Sequence, residues 1–324
     1  MHRSIENALA FFALALSAVT PAPSSAQSYP SRPIRVIVPL AAGGQTDVVA
    51  RMLTVKLSET FKQPLVVDNR SGGGGTIGTE TAVRASPDGY TMLVASSTHA
   101  ASAALHKLPY DALNDVAPVA FVGQAAFMLS VHPSVPAKSV KELIAYDRAS
   151  PGKINYGTGG IGSTTHLATE LLNQVAGTRM AHVPYKGAAP ALNDLIGGQI
   201  QFALLSMPIA IPQMKSNRVR GIAVTTANRS TAAPEIPTVA ETLPGYEAMS
   251  WFAVLGPKGL PMGIVGRWNS EINRILRLPD VKERMESNGI EPAGGSPERL
   301  REVIRREIAK WQRVVTLLDI KPER

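Results

Sequence analysis

The sequence contains no cysteine. This absence excludes disulfides, thiolate nucleophiles, zinc sites with cysteine ligands and iron–sulfur clusters. A chain of 324 residues can still bury a core large enough to be stable without covalent cross-links, and its length allows two domains.

Aromatic residues and clustered basic charge are also scarce. Tyr, Phe and Trp make up 5% of the chain, and the formal charge of +8 is spread along it without a block of Lys and Arg. Proteins that bind nucleic acids usually carry a basic stripe. We therefore expect no nucleic-acid partner, while the modest positive charge favours anionic ligands.

Long apolar runs are missing except near the N-terminus. Arg3 precedes an apolar run over residues 8–19, and small residues and prolines follow up to Ala26. The run is too short for a membrane helix, and the pattern is typical of a cleaved export signal, with an ordinary buried helix as the alternative. The sequence thus predicts a signal peptide over residues 1–26 and export of residues 27–324.

Short apolar runs alternate with segments of helical period through most of the chain. Residues 34–38 form an apolar run, and Val49, Leu53, Leu57 and Phe61 then recur every four residues. Repeated alternation of this kind predicts an α/β fold with parallel sheets flanked by helices. Near the C-terminus the pattern becomes helical, with Ser296 and Pro297 as the predicted N-cap and first helical residue.

Two apolar runs, residues 127–131 and 251–255, are candidate crossings between two sheets. They divide the chain into a discontinuous first lobe, residues 27–126 plus 250–324, and a second lobe, residues 127–249. Open α/β sheets bind ligands beyond the carboxyl ends of their strands, so we expect the site in the cleft between the lobes.

Two glycine-containing loops lie between a predicted strand and a predicted helix. The first loop is residues 40–47 and the second loop is residues 157–166. Glycine lets a ligand approach the backbone, and the free amides of a helix N-terminus favour an anion. The alternative is that each loop is only a capped turn, a role that Thr46 and Asp47 often fill.

The second loop matches the dinucleotide fingerprint G-x-G-x-x-G at Gly157, Gly159 and Gly162. The next predicted strand ends in residues 183–186 without the acidic residue that would hold a ribose hydroxyl. We therefore interpret this loop as a cradle for an anion and expect no cofactor.

Small polar residues follow the other predicted strands as well, and several such loops at one edge favour a ligand held by neutral donors. The predicted ligand-binding residues are Ala41, Ala42, Gly43, Gly44, Gln45, Thr46, Asp47, Ser97, Thr98, His99, Thr158, Gly159, Gly162, Ser163, Thr164, Thr165, Tyr185, Lys186, Gly187 and Ser206.

Motifs of hydrolases and metalloenzymes are missing from the sequence. It has no G-x-S-x-G, H-E-x-x-H or G-x-x-x-x-G-K-[ST] motif, and its six histidines show no local ligand spacing. We expect no catalytic residue and no metal site. A Ser-His-Asp site built from distant loops would leave no such motif, so an exported hydrolase stays an alternative.

A series of short motifs runs through nearly the whole chain in a characteristic order: Tyr29-Pro30-Ser31-Arg32-Pro33, Val67-Asp68-Asn69-Arg70-Ser71-Gly72, Ser86-Pro87-Asp88-Gly89-Tyr90, Val131-His132-Pro133, Gly162-Ser163-Thr164-Thr165-His166, His182-Val183-Pro184-Tyr185-Lys186-Gly187 and Ser250-Trp251-Phe252. In this order the sequence resembles the substrate-binding receptors of tripartite tricarboxylate transporters, often called Bug receptors.

The resemblance implies a two-lobed periplasmic-binding-protein fold of the type II, Venus-flytrap kind, each lobe being a mostly parallel sheet flanked by helices. It implies a monomeric periplasmic receptor without enzymatic activity, which binds a small organic carboxylate and delivers it to a two-component membrane permease. In this family the first loop and the second loop hold a ligand carboxylate. A ligand sensor of the same fold that signals to a sensor kinase is the alternative.

Two departures from the family pattern concern the ligand. The first loop has Ala41 and Ala42 where a proline usually precedes the two glycines, and residues 204–207 are more apolar than usual. If the latter segment faces the cleft, it favours a ligand with an aromatic or aliphatic body.

Overall fold

The structure is a computed structural model that describes residues 29–321. Contacts divide the chain into two units, Met1–Ser31 and Arg32–Arg324. Of the first unit, residues 29–31 are described and have irregular backbone. The predicted signal peptide, residues 1–26, lies outside the described residues.

The second unit alternates strands and helices, as predicted. The strands are β1 (Ile34–Val38), β2 (Leu65–Asn69), β3 (Thr91–Ser96), β4 (Val116–Val131), β5 (Asn155–Thr158), β6 (Ala181–Pro184), β7 (Phe202–Ser206), β8 (Arg220–Val224), β9 (Met249–Pro257) and β10 (Ile290–Pro292). The helices are α1 (Gln45–Phe61), α2 (Thr76–Val83), α3 (Thr98–Leu105), α4 (Val140–Ala149), α5 (Thr164–Ala176), α6 (Ala188–Ile196), α7 (Met207–Lys215), α8 (Met262–Ile275), α9 (Pro279–Ser287) and α10 (Pro297–Leu317).

The strands form one mixed sheet in the order β2-β1-β3-β9-β4-β7-β5-β6, with β8 and β10 also paired to β4. Pairing is parallel within the first strand group (β1, β2 and β3) and within the second strand group (β5, β6 and β7), whose strands are joined by helical crossovers. Every pair that involves β4 or β9 is antiparallel. The centre of the sheet is therefore antiparallel, although parallel pairing was expected for most of it.

Strand β4 is continuous over 16 residues. The sequence predicted a crossing over residues 127–131, and in the structure this segment is the last part of a strand that begins at Val116. In the structure a Cβ atom on Gly123 would lie 2.6 Å from the carbonyl oxygen of Glu291 in β10. This glycine therefore permits close approach of a neighbouring strand rather than ending β4.

The C-terminal helix α10 packs one apolar stripe into the core. Leu300, Ile304 and Trp311 are fully buried, and the Ser296 hydroxyl accepts a hydrogen bond from the Arg299 amide. The predicted C-terminal helix and its N-cap are confirmed. Among the helices of residues 29–321, none combines the length and apolar character needed to span a bilayer.

Helix α3 was not predicted, because its sequence carries four alanines and no strong apolar stripe. Alanine has the highest helix propensity, so this segment forms a helix by backbone preference rather than by amphipathic pattern. Its first residue, Thr98, belongs to a segment that the sequence suggested as a loop.

Candidate functional site

The predicted ligand-binding segments follow the carboxyl ends of parallel strands. In the first strand group β1 and β3 end at Val38 and Ser96, and in the second β5, β6 and β7 end at Thr158, Pro184 and Ser206. Parallel strands place these ends along one edge of each group. The structure therefore gathers the loops of each group at a common edge.

The two edges meet. The Ser97 and Thr164 hydroxyls share a hydrogen bond of 2.8 Å, and these residues are 1% and 2% exposed. A Cβ atom on Gly74 would lie 3.5 Å from the Ile161 carbonyl oxygen. Loops separated by more than 60 residues in the chain thus enclose one region between the strand groups.

The first loop is braced by the Asp47 carboxylate. It accepts hydrogen bonds from the Gly43 amide at 3.0 Å, from Arg51 Nε at 2.9 Å and from Asn69 Nδ2 at 3.0 Å. Burial alone would raise the Asp47 pKa, but the bonds from Arg51, Gly43 and Asn69 outweigh it and lower the pKa. Asp47 is therefore an ionised support of the turn.

The other residues of the first loop differ in their exposure to solvent. Ala41, Ala42 and Gly43 are exposed, whereas Gln45 and Thr46 are buried in the first turn of α1. Gly44 is the N-cap of α1 and supplies no side-chain cap. The first backbone amides of α1 are consequently available to an anion at the edge of the sheet.

The second loop carries several hydroxyls beside the start of α5. Ser163 is the N-cap of α5 and accepts a hydrogen bond from the His166 amide, and its hydroxyl shares another with Thr165 at 3.1 Å. Thr158 accepts from the Gly160 amide at 3.2 Å and shares a hydrogen bond of 2.7 Å with His182 Nε2. This network fixes the loop without a charged side chain.

A stack of histidine rings lies behind the second loop and was not predicted. The His166 and His182 ring centroids are 4.1 Å apart, and Tyr156 stacks on the other side of His182. Burial, and then the neighbouring histidines, lower the pKa of His166 to about 4 and that of His182 to about 3. Both rings are therefore neutral at pH 7 and act as packing and hydrogen-bonding groups.

The segment after β6 approaches the second loop through backbone. A Cβ atom on Gly159 would lie 3.8 Å from the Gly187 Cα atom. The Tyr185 hydroxyl donates to Asp194 at 2.7 Å, and burial, then Asp194, raises the Tyr185 pKa to about 12. Lys186 is exposed. The Tyr185 amide donates to the Thr158 carbonyl oxygen at 3.1 Å, so both Tyr185 and Gly187 contact the second loop directly.

The side chain of His99 is tied to the protein interior. It is 5% exposed, its Nε2 atom bonds to the Ala112 carbonyl oxygen at 2.8 Å, and Nδ1 has no partner within residues 29–321. Ser97 and Thr98, the neighbouring predicted residues, lie at the start of α3, and the Ser97 amide donates to the Trp251 carbonyl oxygen.

The apolar segment after β7 does not form a surface for a ligand. Leu204 and Leu205 are buried in the hydrophobic cores, Met207 is 0% exposed, and Ser206 between them is half-buried. An aromatic or aliphatic ligand was expected only if residues 204–207 faced the cleft. The burial of these three apolar side chains gives that expectation no support.

The glycine run, residues 72–75, is part of this region and was left unexplained by the sequence. All four residues have positive φ, which glycine adopts readily. Gly74 and Gly75 line a cavity of about 10 Å³ together with residues from the ends of β1 and β3, and the Ser102 hydroxyl donates to the Gly74 carbonyl. Four consecutive glycines were the signal that this segment approaches other backbone closely.

No group of three or more His, Cys, Asp or Glu side chains within the described part of the chain has metal-binding geometry. The hydrogen-bonded pair His132 and Ser134 lies in an exposed turn after β4. This turn is near the amino end of β7, not near the carboxyl ends that carry the predicted loops. The region between the strand groups thus offers neutral hydroxyls and backbone amides, which suit a small anion.

Comparison with known proteins agrees with this geometry. The family model described as the tripartite tricarboxylate transporter family receptor matches residues 49–320. Protein BugT of Bordetella pertussis is 39% identical over 298 residues, which cover 91% of this chain and 91% of BugT. Members of this family are periplasmic solute-binding proteins and form a class of receptors, not of enzymes.

Solved structures share the fold. R. palustris Rpa4515 with adipate is 36% identical, with a TM-score of 0.87, and the match covers 91% of this chain and 100% of Rpa4515. MatC from Rhodopseudomonas palustris with bound malate is 31% identical, with a TM-score of 0.83, and covers 89% of this chain and 100% of MatC. The two-lobed periplasmic-binding-protein fold is confirmed, and this chain belongs to the tripartite tricarboxylate transporter receptor family.

Proposed function

We propose that this chain is a periplasmic receptor that binds a small organic carboxylate between its lobes and delivers it to a two-component membrane permease. The observation that carries the proposal is the meeting of two loop-bearing sheet edges through Ser97 and Thr164. The lobes would be residues 27–126 plus 250–324 and residues 127–249, joined by β4 and β9. Residues 1–26 would serve as the cleaved export signal.

A carboxylate fits the donors at this edge. The uncapped N-terminus of α1 presents backbone amides, and the paired hydroxyls of Ser163 and Thr165 lie at the start of α5. Desolvating a carboxylate is costly unless its oxygens accept hydrogen bonds, and helix N-termini supply such donors. Rpa4515 and MatC hold the dicarboxylates adipate and malate, which supports the same ligand class here.

Of the predicted ligand-binding residues, those at the starts of α1 and α5 lie nearest to this role: Gly44, Gln45, Thr46, Ser163, Thr164 and Thr165. The hydroxyls of the last three already hydrogen-bond within the protein, so we expect these residues to act chiefly through backbone amides. Asp47 and Thr158 act through the loops that they brace. Ligand contacts from both lobes favour the state in which the lobes are together, since only that state offers all of them. The permease would recognise this closed state.

Isothermal titration of the protein without its first 26 residues against adipate and malate tests the proposal. We expect saturable binding of one of them by a monomer, with the ligand recovered unchanged. Absence of binding for a broad panel of carboxylates, after unfolding and refolding to remove any copurified ligand, would refute the ligand class.

A further inference from the structure

We infer that His106 is a positioning residue: with Gly74 it forms a socket on the first lobe that clamps Ile161 and Gly162 of the second loop. This inference rests on the proposed two-lobed receptor, because it concerns how the loop that would hold the carboxylate is set in place. None of these four residues except Gly162 was among the predicted ligand-binding residues.

On one side of the socket, the His106 ring lies against Gly162. His106 follows the last residue of α3, and a Cβ atom on Gly162 would lie 2.5 Å from His106 Nε2 and 3.2 Å from Leu105 Cδ2. In real proteins a Cβ atom almost never lies closer than 3.0 Å to another heavy atom, so a side chain at position 162 would have to displace the ring. Gly162 has φ of +76° and its amide donates to His166 Nδ1, so its backbone is fixed where the ring meets it.

On the other side of the socket, Gly74 lies next to the Ile161 carbonyl group. A Cβ atom on Gly74 would lie 3.5 Å from the Ile161 carbonyl oxygen and 3.4 Å from Ser102 Oγ. The Ile161–Gly162 peptide is therefore held between Gly74 and His106, two residues of the same lobe. The Ser97–Thr164 hydrogen bond lies two residues further along the second loop.

His106 also lines a groove of about 430 Å³ between residues 103–114 and α10. The ring has room to retreat from a small side chain at position 162. A larger side chain is therefore needed to test the clamp, and asparagine is suitable because it tolerates positive φ better than other residues.

The rate at which an introduced disulfide forms between the two lobes measures the fraction of molecules in which the second loop contacts the socket. The chain has no cysteine, so in the variant Ser97→Cys/Thr164→Cys the one possible intramolecular disulfide is the one across the cleft. The hydroxyl oxygens that the sulfur atoms replace are 2.8 Å apart. The initial rate of disulfide formation under mild oxidation, with no ligand added, then measures the closed population.

In this background we expect Gly162→Asn to slow disulfide formation by about 5-fold to 150-fold, the range that corresponds to overpacking a fitted contact. Adding His106→Ala should raise the rate again, because it removes the ring that the asparagine meets. The matched control is Gly152→Asn, since Gly152 has φ of +77° and no atom within 4 Å of its Cβ position. That control should form the disulfide at the background rate.

Equal rates for Gly162→Asn and Gly152→Asn, or no restoration by His106→Ala, would overturn the clamp. If Gly162→Asn does not fold, Gly74→Asn decides by the same readout, because it fills the opposite side of the socket at φ of +61°. The rate is measured without ligand, so failure of the carboxylate assignment leaves this test intact. Conversely, normal carboxylate binding with an unaffected rate in Gly162→Asn refutes the clamp alone.

Discussion

Removing the hydroxyl of Ser97 should weaken ligand binding through the equilibrium between open and closed lobes. In Ser97→Ala the Thr164 hydroxyl stays buried and loses its partner at 2.8 Å. An orphaned buried hydroxyl costs about 1–3 kcal/mol. Because the hydrogen bond joins the two lobes, this cost falls on the closed state and should raise the apparent Kd about 5-fold to 150-fold.

Isothermal titration with the carboxylate that binds the wild type measures this effect. The double variant Ser97→Ala/Thr164→Val removes both partners, and replacing both by apolar groups leaves no orphaned hydroxyl. We therefore expect the double variant to bind more tightly than Ser97→Ala. A control within one lobe is Thr178→Val, which removes a buried bond to Asn173 and should lower the melting temperature without changing Kd.

Two results would refute this reasoning. An unchanged Kd for Ser97→Ala would mean that the hydrogen bond makes no contribution to closure. A double variant that binds more weakly than Ser97→Ala would mean that both hydroxyls bind the ligand rather than each other.

Three further predictions concern stability. Asp47→Ala should lower the free energy of unfolding by about 1–3 kcal/mol, because the Gly43 amide and Asn69 lose their acceptor; urea denaturation measures it, and an unchanged midpoint would contradict the bracing role. The free energy of unfolding should fall as the pH drops from about 6.5 towards 4. The reason is that the His166 pKa is lowered in the folded chain, so the unfolded chain takes up a proton on His166 at a higher pH than the folded chain does. For this group the free energy of unfolding changes by at most about 1.4 kcal/mol per pH unit. His166→Asn should flatten that slope, and an equal slope in the variant would show that other groups cause it. Trp311→Ala should cost about 3–5 kcal/mol, since the ring is fully buried; a shift of the thermal midpoint no larger than that of an exposed control, Gln312→Ala, would contradict its role in the core.

The local elements of the site could be predicted from the sequence, because each depends on residues close together in the chain. The apolar run over residues 34–38 predicted β1, and the small polar residues after it indicated a loop at the strand end. The N-cap Ser296 was found for the same reason, since a cap is a relation among neighbours. These predictions are confirmed by the structure.

Features that depend on distant partners could not be predicted. The continuity of β4 depends on Gly123 facing Glu291, which is 168 positions away in the sequence. The same holds for the stack of His166 on His182 and for the contact of His106 with Gly162, because no local pattern marks which ring meets which loop. Helix α3 was missed for another reason: its alanines favour a helix without an apolar stripe.

The position of β9 in the sheet has a consequence for the order in which the molecule can assemble. Strand β3 pairs with β9 (Met249–Pro257), and the paired residues are separated by 156 to 162 positions in the chain. Helix α10, which comes later still, covers the same core. The N-terminal strands therefore lack a neighbour on one side until the last quarter of the polypeptide is available. A fragment that ends before Met249 leaves β3 as an open edge, a site for pairing with other chains, so both lobes should reach their native form together rather than in the order of synthesis.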